Sequence, residues 1–463
     1  MDGDRYFQNA EDAKFDFVLS GTDLRSCIIA SVIAHSGSKV LHLDPSDYYG
    51  ALDGSLTLSQ LSNLEAPGTD VEKFSQIVVP GDSDLLSLAR ADRQFSIDVS
   101  VPRVMFCKER SIDELIKHGV GKYLNFLSVR DLNVIAKTGA PWSIPFTRNR
   151  IFQDKELRLG EKRALMTLFK SALADTSTAI LSSAHVGGQA TEGQLIPSVD
   201  RTMAAVDYLK NELNIQRDEI IYGIIHGVCM HANPASTFLA SEMFERLSLF
   251  IKSLTQYEAG FPLLVPMYGN SDIPQAFART AAVRGAVYIL GCDFKKIEPE
   301  LTPGFKLLDS TTESADDPKF FRILHGVACV RNAAGVASPV ELSVIMPDSY
   351  NSYPIFAVSL RNCSETGISC PSVCPKGYTL IHFISKSEDM DLFTKRIREH
   401  ITSLEVVFAH AWIVKEAGEN IFGLSDHFAS AKRIFNQVTG RSPYEELPTP
   451  PEEPDHVFTE ETQ

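Results

Sequence analysis

Residues 15–44 read FDFVLSGTDLRSCIIASVIAHSGSKVLHLD, which predicts a strand, a tight turn, a helix and a second strand in succession. This order is typical of the βαβ unit that holds the pyrophosphate of a dinucleotide at its turn. The fingerprint of such a turn is G-x-G-x-x-G, but residues 21–26 read GTDLRS. Only the first glycine, Gly21, is present, so the sequence predicts the scaffold without the nucleotide.

Two substitutions in this turn oppose a bound pyrophosphate. Asp23 replaces the glycine that lets the backbone approach the phosphates, and its carboxylate would repel a phosphate charge at 4 Å by about 4 kcal/mol. Ser26 replaces the glycine that allows close packing of helix on strand. Asp23 is also a good N-cap for the predicted helix. Asp44 stands where a ribose-binding acid is expected, but one acid beside two lost glycines does not predict a cofactor.

Composition limits the classes of function. The chain has 463 residues, 44% of them hydrophobic and 22% charged, and a net charge of −15. These values predict a soluble globular protein of two or three domains and disfavour nucleic acid as a partner. No apolar run reaches about 18 residues, and the acidic N-terminus does not resemble a signal peptide. Eight cysteines in so long a chain favour a reducing compartment, so a cytoplasmic location is expected.

The pattern along the chain predicts a main α/β domain interrupted by helices. Its first part is 1–107, and a mostly helical domain follows at 108–260, with a return to the main domain around 130–146 left open. The main domain resumes at 261–442, and the acidic, proline-rich tail 443–463 is expected to be disordered. Apolar spacing predicts a helix over 111–126. Residues 220–230 are apolar on every face, so this helix is buried or lines an apolar cavity, and its His226 is expected to be a core histidine.

Motifs of catalysis and metal binding are missing from the sequence. It contains no G-x-S-x-G elbow, no H-E-x-x-H and no phosphate-binding G-x-x-x-x-G-K loop. Cys363, Cys370 and Cys374 cluster without a C-x-x-C pair or a nearby histidine, so no metal site is predicted. We therefore expect a binding protein on an enzyme-like scaffold, not an enzyme.

One further segment carries a family resemblance. Residues 267–279 read MYGNSDIPQAFAR and run on through Gly285 to Tyr288, and residues 48–50 read YYG. Together they resemble the family of Rab GDP-dissociation inhibitors (GDI) and Rab escort proteins, over roughly residues 15–455. The resemblance implies an α/β (α+β) fold that is FAD-binding-like and GDI-like. Its discontinuous main domain would bind no flavin and would carry an inserted all-helical domain.

The resemblance also implies binding residues for Rab GTPases, namely Tyr49, Asp272, Arg279 and Tyr288. Asp272 is one methylene shorter than the glutamate usual in the family. Two other positions differ as well: Ala51 stands for a glycine, and residues 284–286 read RGA in place of an aromatic-Gly-Gly. An ordinary surface arginine remains the alternative for Arg279.

Of the two branches of the family, the sequence is more similar to the escort branch. Residues 144–152, IPFTRNRIF, and the triplet EKR at 161–163 are similar to the escort pattern around the contact with Rab geranylgeranyltransferase. By that resemblance Phe152 and Arg163 contact the transferase heterodimer. Inhibitors keep the triplet but lack the phenylalanine. The alternatives are a Phe152 ring that folds back on its own helix and a local salt bridge for Arg163.

A carrier of prenylated proteins also needs a place for the lipid. Two geranylgeranyl tails have about 40 carbons, and at about 0.8 kcal/mol per buried methylene their exposure costs tens of kcal/mol. The apolar helix and the one after it supply the candidate walls of a lipid cavity: Ile221, Ile225, Met230, Phe238, Leu247 and Ile251. Ordinary core packing explains both helices equally well.

These observations lead to three hypotheses of function. The first is an escort protein that binds GDP-bound Rab GTPases, presents them to Rab geranylgeranyltransferase and accompanies the prenylated product to membranes, with transient membrane contact. The second is a GDP-dissociation inhibitor that recycles prenylated Rab GTPases. The third is a flavin oxidoreductase with a variant turn, which a yellow preparation would support.

Overall fold

A computed structural model describes residues 6–8, 11–62, 71–79, 81–129, 131–136, 141–174, 202–257, 261–309, 320–332, 338–363, 369–417 and 420–439. The predicted acidic tail, 443–463, lies outside these residues. The strands are β1 (Phe17–Ser20), β2 (Val40–Asp44), β3 (Ser55–Leu56), β4 (Glu72–Val78), β5 (Ile97–Asp98), β6 (Met105–Phe106), β7 (Phe126–Ser128), β8 (Asp131–Ile135), β9 (Trp142–Ser143), β10 (Leu263–Pro266), β11 (Val287–Leu290), β12 (Lys306–Asp309), β13 (Phe320–Arg331), β14 (Val340–Ile345), β15 (Ile355–Arg361), β16 (Tyr378–Ser385) and β17 (Val406–Ala417).

The helices include two short π-helical stretches as well as regular α-helices. The regular helices are α1 (Leu24–His35), α2 (Leu58–Ser62), α3 (Asp82–Ala91), α4 (Arg110–Lys117), α5 (Arg148–Gln153), α6 (Leu159–Ala174), α7 (Ala205–Asp207), α8 (Asp218–Tyr222), α9 (Ala240–Leu254), α10 (Asp272–Val283), α11 (Phe294–Ile297), α12 (Met390–Ile401) and α13 (Ser425–Thr439). The π-helical stretches Tyr208–Glu212 and Gly223–Val228 continue α7 and α8.

The predicted βαβ unit is the centre of a parallel sheet. Its four strands lie in the order β11-β2-β1-β12, and every neighbouring pair is parallel. All five residues of β2 are buried, as expected for a parallel strand covered on both faces. Helix α1 packs against both α10 and α13 through its apolar side chains. This parallel sheet with its packed helices confirms the predicted α/β fold class, including the dinucleotide-binding-like βαβ unit.

A second, larger sheet has eight strands in the order β4-β17-β13-β16-β15-β14-β8-β9. All its neighbouring pairs are antiparallel except β8 and β14. The 12-residue strands β13 and β17 form its longest pair, and α12 covers one face through Phe393 and Ile397. Strands β8 and β9 belong to this sheet, although they lie within the segment 108–260. The domain boundaries at 107 and 260 stay predictions.

The helix predicted over 111–126 was wrong beyond Lys117. Gly119 adopts a left-handed φ of +68°, which ends α4 because such a conformation cannot continue a right-handed helix. The N–H of Val120 bonds back to the Leu115 carbonyl at 3.2 Å, which closes the last turn. Residues 126–128 then form β7, which pairs with β10. The apolar residues of 111–126 therefore lie in a helix, a turn and a strand.

The all-apolar segment 220–230 lies against the eight-stranded sheet. A side chain at Gly227 would meet Ile144 at 2.4 Å, and one at Gly223 would meet Trp142 and Val134 at 3.3 Å. Residues 220–230 are apolar on every face because other parts of the chain pack against every face. His226 is fully buried within this segment. Among the described residues, no helix has the length and apolarity needed to cross a membrane.

Candidate functional site

Two carboxylates lie at the N-terminal end of α1, where the βαβ unit of a nucleotide-binding enzyme holds the phosphates. Gly21 has a left-handed φ of +86°. Asp23 caps α1 by accepting a hydrogen bond from the Ser26 N–H at 2.8 Å. Asp53, from a separate turn, accepts one from the Leu24 N–H at 3.1 Å. Two carboxylates therefore occupy the positive end of the helix.

The acid that could have bound a ribose is also engaged within the chain. One oxygen of Asp44 accepts hydrogen bonds from the N–H of Thr22 at 2.6 Å and from its hydroxyl, and the other accepts from the Ser46 N–H at 2.7 Å. The Thr22 hydroxyl accepts a further bond from the Gly50 N–H at 3.0 Å. Asp44 thus stabilises the turn that carries Tyr49.

A buried arginine joins this turn to the start of α10. Arg103 is 2% exposed, and its guanidinium lies 2.7 Å from Asp53 and 3.1 Å from Glu416. Its main-chain N–H donates to the Asn270 side chain at 2.9 Å. A buried charge persists only when it is paired, and here two carboxylates pair it. The sequence analysis missed Arg103 and Asp53, because nothing local marks a pair 50 residues apart.

Residues 267–271 form a loop that positions the first turn of α10. Gly269 has a φ of +97°, and a Cβ there would lie 2.7 Å from the Ser55 hydroxyl and 2.9 Å from Asp98. The Asn270 N–H donates to the Asp98 carboxylate at 2.7 Å, and the Ser271 N–H donates to the Ser55 hydroxyl at 3.0 Å. Glycine is required because β3 and β5 approach its backbone so closely.

All four residues assigned by resemblance to the GTPase contact line one cleft of about 410 Å³: Tyr49, Asp272, Arg279 and Tyr288. The rings of Tyr49 and Tyr288 meet edge to face with centroids 5.9 Å apart. Asp272 and Arg279 lie on one face of α10, seven residues or about two turns apart. These four residues come from three separate segments, namely the loop after β2, α10 and β11.

Three polar or aromatic cleft residues were not named as site residues by the sequence analysis. They are Tyr123, Tyr268 and Gln275. The Tyr123 ring lies 4.6 Å below the guanidinium of Arg279, a cation–π contact that orients the arginine. Tyr268 is 41% exposed at the rim. The wrong helix at 111–126 concealed Tyr123, whereas the glycines at 119 and 121 were the signal of a turn there.

The electrostatics of the cleft suit hydrogen bonding to a protein partner. Burial raises the pKa of Asp272 to about 6, and a backbone hydrogen bond from Tyr268 partly offsets this. Burial raises the pKa of Tyr288 as well, and its hydroxyl has no hydrogen-bond partner among the described residues. The exposed Arg279 supplies donors. The cleft therefore offers the Asp272 carboxylate as an acceptor, the Tyr288 hydroxyl, and the Arg279 guanidinium as a donor. Aromatic side chains line the cleft around them.

The two departures from the family pattern have structural consequences. Ala51 has a φ of +46°, in the left-handed region that a glycine adopts without strain. Arg284, at the C-cap of α10, donates from its guanidinium to the Thr280 carbonyl at 3.0 Å. A cation is favourable there because the C-terminal end of a helix is negative.

The predicted transferase residues lie on two adjacent helices. Phe152, near the end of α5, is 54% exposed, and the Arg148 guanidinium lies 5.7 Å from its ring. Lys162 of α6 donates to the Phe152 carbonyl at 2.9 Å, which brings the first turns of α6 beside it. Arg163 is exposed and makes no ion pair with the other described residues. The Phe152 ring thus contacts its own helix through Arg148 but is more than half exposed, and Arg163 has no salt bridge among these residues. The contact of both residues with the transferase stays a prediction.

The six candidate lipid residues pack in one apolar cluster. Ile221, Ile225 and Leu247 are fully buried, Phe238 and Met230 nearly so, and Ile251 partly. The structure brings them together with one another and with the eight-stranded sheet. In this arrangement they touch neighbouring side chains, so a lipid would have to part α9 from the 220–230 segment. Their role in lipid binding stays a prediction.

The cysteine cluster includes one close pair. The sulfur atoms of Cys363 and Cys370 are 3.0 Å apart, and neither residue is in a disulfide. Cys374 is buried nearby, with its sulfur 3.3 Å from the Tyr378 carbonyl. Within the described part of the chain, no three histidine, cysteine or acidic side chains lie close enough to hold a metal ion.

Comparison with known proteins gives a family match and remote relatives. The model of the family described as "GDP dissociation inhibitor" matches residues 11–303. Rab escort protein 1 of Arabidopsis thaliana is 29% identical over 311 residues, 60% of this chain and 54% of that protein. Guanosine nucleotide diphosphate dissociation inhibitor 2 of the same plant is 27% identical over 400 residues, 82% of this chain and 81% of that protein.

The solved structures include one with the same fold. A Rab GDI from Plasmodium falciparum superposes with a TM-score of 0.63 at 17% identity, over 93% of this chain and 99% of that chain. The chain spans about half the length of the plant escort protein that it matches, and about four fifths of the plant inhibitor.

Proposed function

The chain belongs to the GDP dissociation inhibitor family, and from that premise we propose that its cleft binds Rab GTPases in their GDP-bound form, before and after prenylation. One observation carries the proposal: the four residues that the family pattern assigns to this contact line a single cleft, although they lie far apart in the sequence. Asp272 accepts hydrogen bonds from the GTPase and Arg279 donates them. The tyrosines supply rigid contact area that costs little conformational entropy on binding.

In this role the protein breaks no bond of its own. The positive end of α1, where an enzyme of this fold holds its cofactor phosphate, is neutralised by Asp23 and Asp53. A separate set of hydrogen bonds, from Thr22 to Asp44 and from the Gly50 N–H to the Thr22 hydroxyl, positions the loop that carries Tyr49. The former cofactor turn thus acts as a support for the binding cleft.

The finer proposal is that the chain acts as an escort protein, the accessory component of Rab geranylgeranyltransferase. Phe152 supports it, because a phenyl ring that is 54% exposed on a short helix is a natural anchor for a partner. Arg163 supports it too, since an exposed cation in the second turn of α6 is without an ion pair among the described residues. The transferase heterodimer would bind this surface while the cleft holds the GTPase.

A GDP-dissociation inhibitor that recycles prenylated Rab GTPases is the second candidate. The observation in its favour is coverage: the plant inhibitor matches 82% of this chain and 81% of its own length, against 60% and 54% for the escort protein. Both candidates share the cleft. Both also need the prenyl group to enter the apolar cluster around Ile221 and Leu247, so the lipid site does not distinguish them.

A reconstituted prenylation assay tests the proposal. A Rab GTPase, the transferase heterodimer and labelled geranylgeranyl diphosphate are mixed with and without this chain, and transfer is expected only in its presence. Phe152→Ala is expected to weaken the complex with the transferase about tenfold while the affinity for the GTPase is kept. Val79→Ala is the control, because Val79 is also an exposed apolar side chain and lies elsewhere on the surface, at 66% exposure.

The outcomes separate the candidates. Equal transfer when this chain is omitted would refute the escort role. Extraction of prenylated Rab from vesicles by a chain that has no affinity for the transferase would establish the inhibitor role. If neither the original chain nor any variant binds a GDP-bound Rab, the assignment of the cleft is overturned.

A further inference from the structure

Cys363 and Cys370 form a close thiol pair beside the loop that supports the cleft. Cys363 follows β15, and Cys370 opens the segment that leads to β16. Their sulfur atoms are 3.0 Å apart and both side chains are half-buried. Two thiolates on one zinc ion would be about 3.7 Å apart, given tetrahedral bonds of about 2.3 Å. The pair is therefore too close for a shared metal and lies within about 1 Å of disulfide bonding distance.

We propose that Cys363 and Cys370 form an intrachain disulfide by exchange with a low-molecular-weight disulfide oxidant of the oxidised-glutathione class. One cysteine thiolate attacks the oxidant and releases one reduced glutathione, which leaves a mixed disulfide on the protein. The second thiolate then attacks the protein-bound sulfur, forms the Cys363–Cys370 bond and releases the second glutathione. Both protons and the electron pair leave with the two reduced glutathione molecules.

The other cysteines do not compete for this bond. Cys374 lies closest in sequence, but its sulfur faces the carbonyls of Tyr378 and Leu360, at 3.3 and 3.9 Å. Cys374 is 2% exposed, so its sulfur is closed to an oxidant in solution, whereas Cys363 and Cys370 are only half-buried. The five remaining cysteines are buried one by one in the core. Geometry thus selects one pair out of eight cysteines.

The disulfide would brace the segment that holds the rim of the cleft. The Ser372 N–H donates to the Met267 carbonyl at 2.9 Å, and the Ser96 N–H donates to the Val373 carbonyl at 2.9 Å. Met267 directly precedes Tyr268, which lines the cleft. This consequence rests on the proposed function: a braced rim loses less freedom on binding, so we expect oxidation to slow release of a Rab GTPase about threefold.

Peptide mapping of the full chain tests the disulfide without any GTPase. The purified protein is incubated with oxidised glutathione, quenched with iodoacetamide, digested without reductant and analysed by mass spectrometry. We expect a peptide linked through Cys363 and Cys370 and the loss of two alkylated thiols. Cys363→Ser and Cys370→Ser should each abolish the linked peptide. Cys374→Ser, the matched control, should retain it.

Each result decides one part of the inference. Full alkylation of both cysteines after treatment, or a stable glutathione adduct without the linked peptide, would overturn the disulfide. A linked peptide with equal release rates in the oxidised and reduced protein would overturn the effect on the cleft. If the chain binds no Rab GTPase in either state, the proposed function fails while the linked peptide still establishes the disulfide.

Discussion

Helices α1 and α10 begin alike and serve opposite purposes. Each has 12 residues and starts three positions after a glycine with left-handed φ, Gly21 or Gly269. Each has an aspartate where it begins: Asp23 is the N-cap of α1, and Asp272 is the first residue of α10. Asp23 caps its own helix through the Ser26 N–H, and Asp53 completes the closure. Asp272 instead faces a cleft, where burial raises its pKa to about 6.

The contrast shows how one local geometry yields either a closed support or an open binding surface. At α10 the backbone donors before the helix are bonded by Ser55 and Asp98, two side chains from outside it. The Asp272 carboxylate accepts one backbone hydrogen bond, from Tyr268, and its remaining acceptor capacity is left for a partner. At α1 the carboxylates of Asp23 and Asp53 accept hydrogen bonds from the N–H groups of the helix itself, so the end of this helix is closed to a partner. Substitutions that act on one helix start and not the other test this view.

Arg103→Met is expected to have the largest effect, because Arg103 joins both helix starts. The substitution leaves Asp53 and Glu416 buried without their cation, and we expect a loss of about 3–5 kcal/mol in unfolding free energy. Urea unfolding followed by circular dichroism measures it. Arg322→Met, which breaks an exposed ion pair with Glu72, is the control and should cost less than about 1 kcal/mol.

The same variant should change the pH dependence of stability. Burial alone would raise the pKa of Glu416, but Arg103 and His427 lower it overall. A lowered pKa gives stability that is present above the unfolded value and is lost as the pH falls. Without Arg103 the pKa of Glu416 rises instead, so the deficit of the variant should shrink between pH 7 and pH 4. A constant deficit over this range would contradict the assignment.

Gly269→Ala should be the second most damaging change, because it strikes the loop before α10. A Cβ would clash with Ser55 and Asp98, and the left-handed φ adds strain. We expect a loss of about 3 kcal/mol. Gly37, at the end of α1, also has a left-handed φ, but a Cβ there would meet nothing within 4 Å. Gly37→Ala should therefore cost only about 1 kcal/mol. Equal losses would show that crowding at Gly269 contributes nothing.

Asp272→Asn and Asp23→Ala should separate binding from stability. Asp272→Asn removes the charge in the cleft, and we expect the affinity for a GDP-bound Rab GTPase to fall about tenfold with the fold intact. Asp23→Ala removes the cap of α1, and we expect a loss of about 1 kcal/mol in stability with affinity unchanged. Calorimetric titration and urea unfolding measure the two quantities, and an exchange of these effects would refute the comparison.

Asp272 should also make binding and stability depend on pH in opposite ways. Its folded pKa of about 6 lies above the usual 3.8, so its ionisation weakens the folded state as the pH rises through this range. Asp272→Asn is therefore expected to match the original protein at pH 4 and to exceed its stability slightly at pH 8. Affinity of the original protein should fall between pH 7 and pH 5.5, and that of the variant should not.

Ala51→Gly should have the smallest effect, and a favourable one. Ala51 follows Gly50 in the turn beside α1 and has a φ of +46°. Relief of the left-handed strain exceeds the extra freedom of glycine in the unfolded chain, so we expect a gain of about 0.5 kcal/mol. Ala34→Gly within α1 is the control and should lose about 1 kcal/mol. A loss at position 51 would mean that the alanine is not strained.

Patterns that act over a few residues were sufficient for the scaffold. The strand, turn, helix and strand at 15–44 follow from apolar periodicity, from Gly21 and from the capping ability of Asp23. The prediction over 111–126 failed because the apolar spacing there fits a helix and outweighed the glycines at 119 and 121. Gly119 has a left-handed φ of +68° and ends the helix.

The cleft required more than local pattern. Resemblance supplied Tyr49, Asp272, Arg279 and Tyr288, but their meeting depends on α10 packing on α1 and on β11 pairing with β2. The pairing of Arg103 was invisible in the sequence for the same reason. The sequence did show the cluster of Cys363 and Cys370, but not that their sulfur atoms lie 3.0 Å apart. Helix caps and turn conformations depend on residues that are neighbours along the chain, so the sequence can predict them. Burial, pKa shifts and the sharing of one cation by distant carboxylates arise only when separate segments exclude water together.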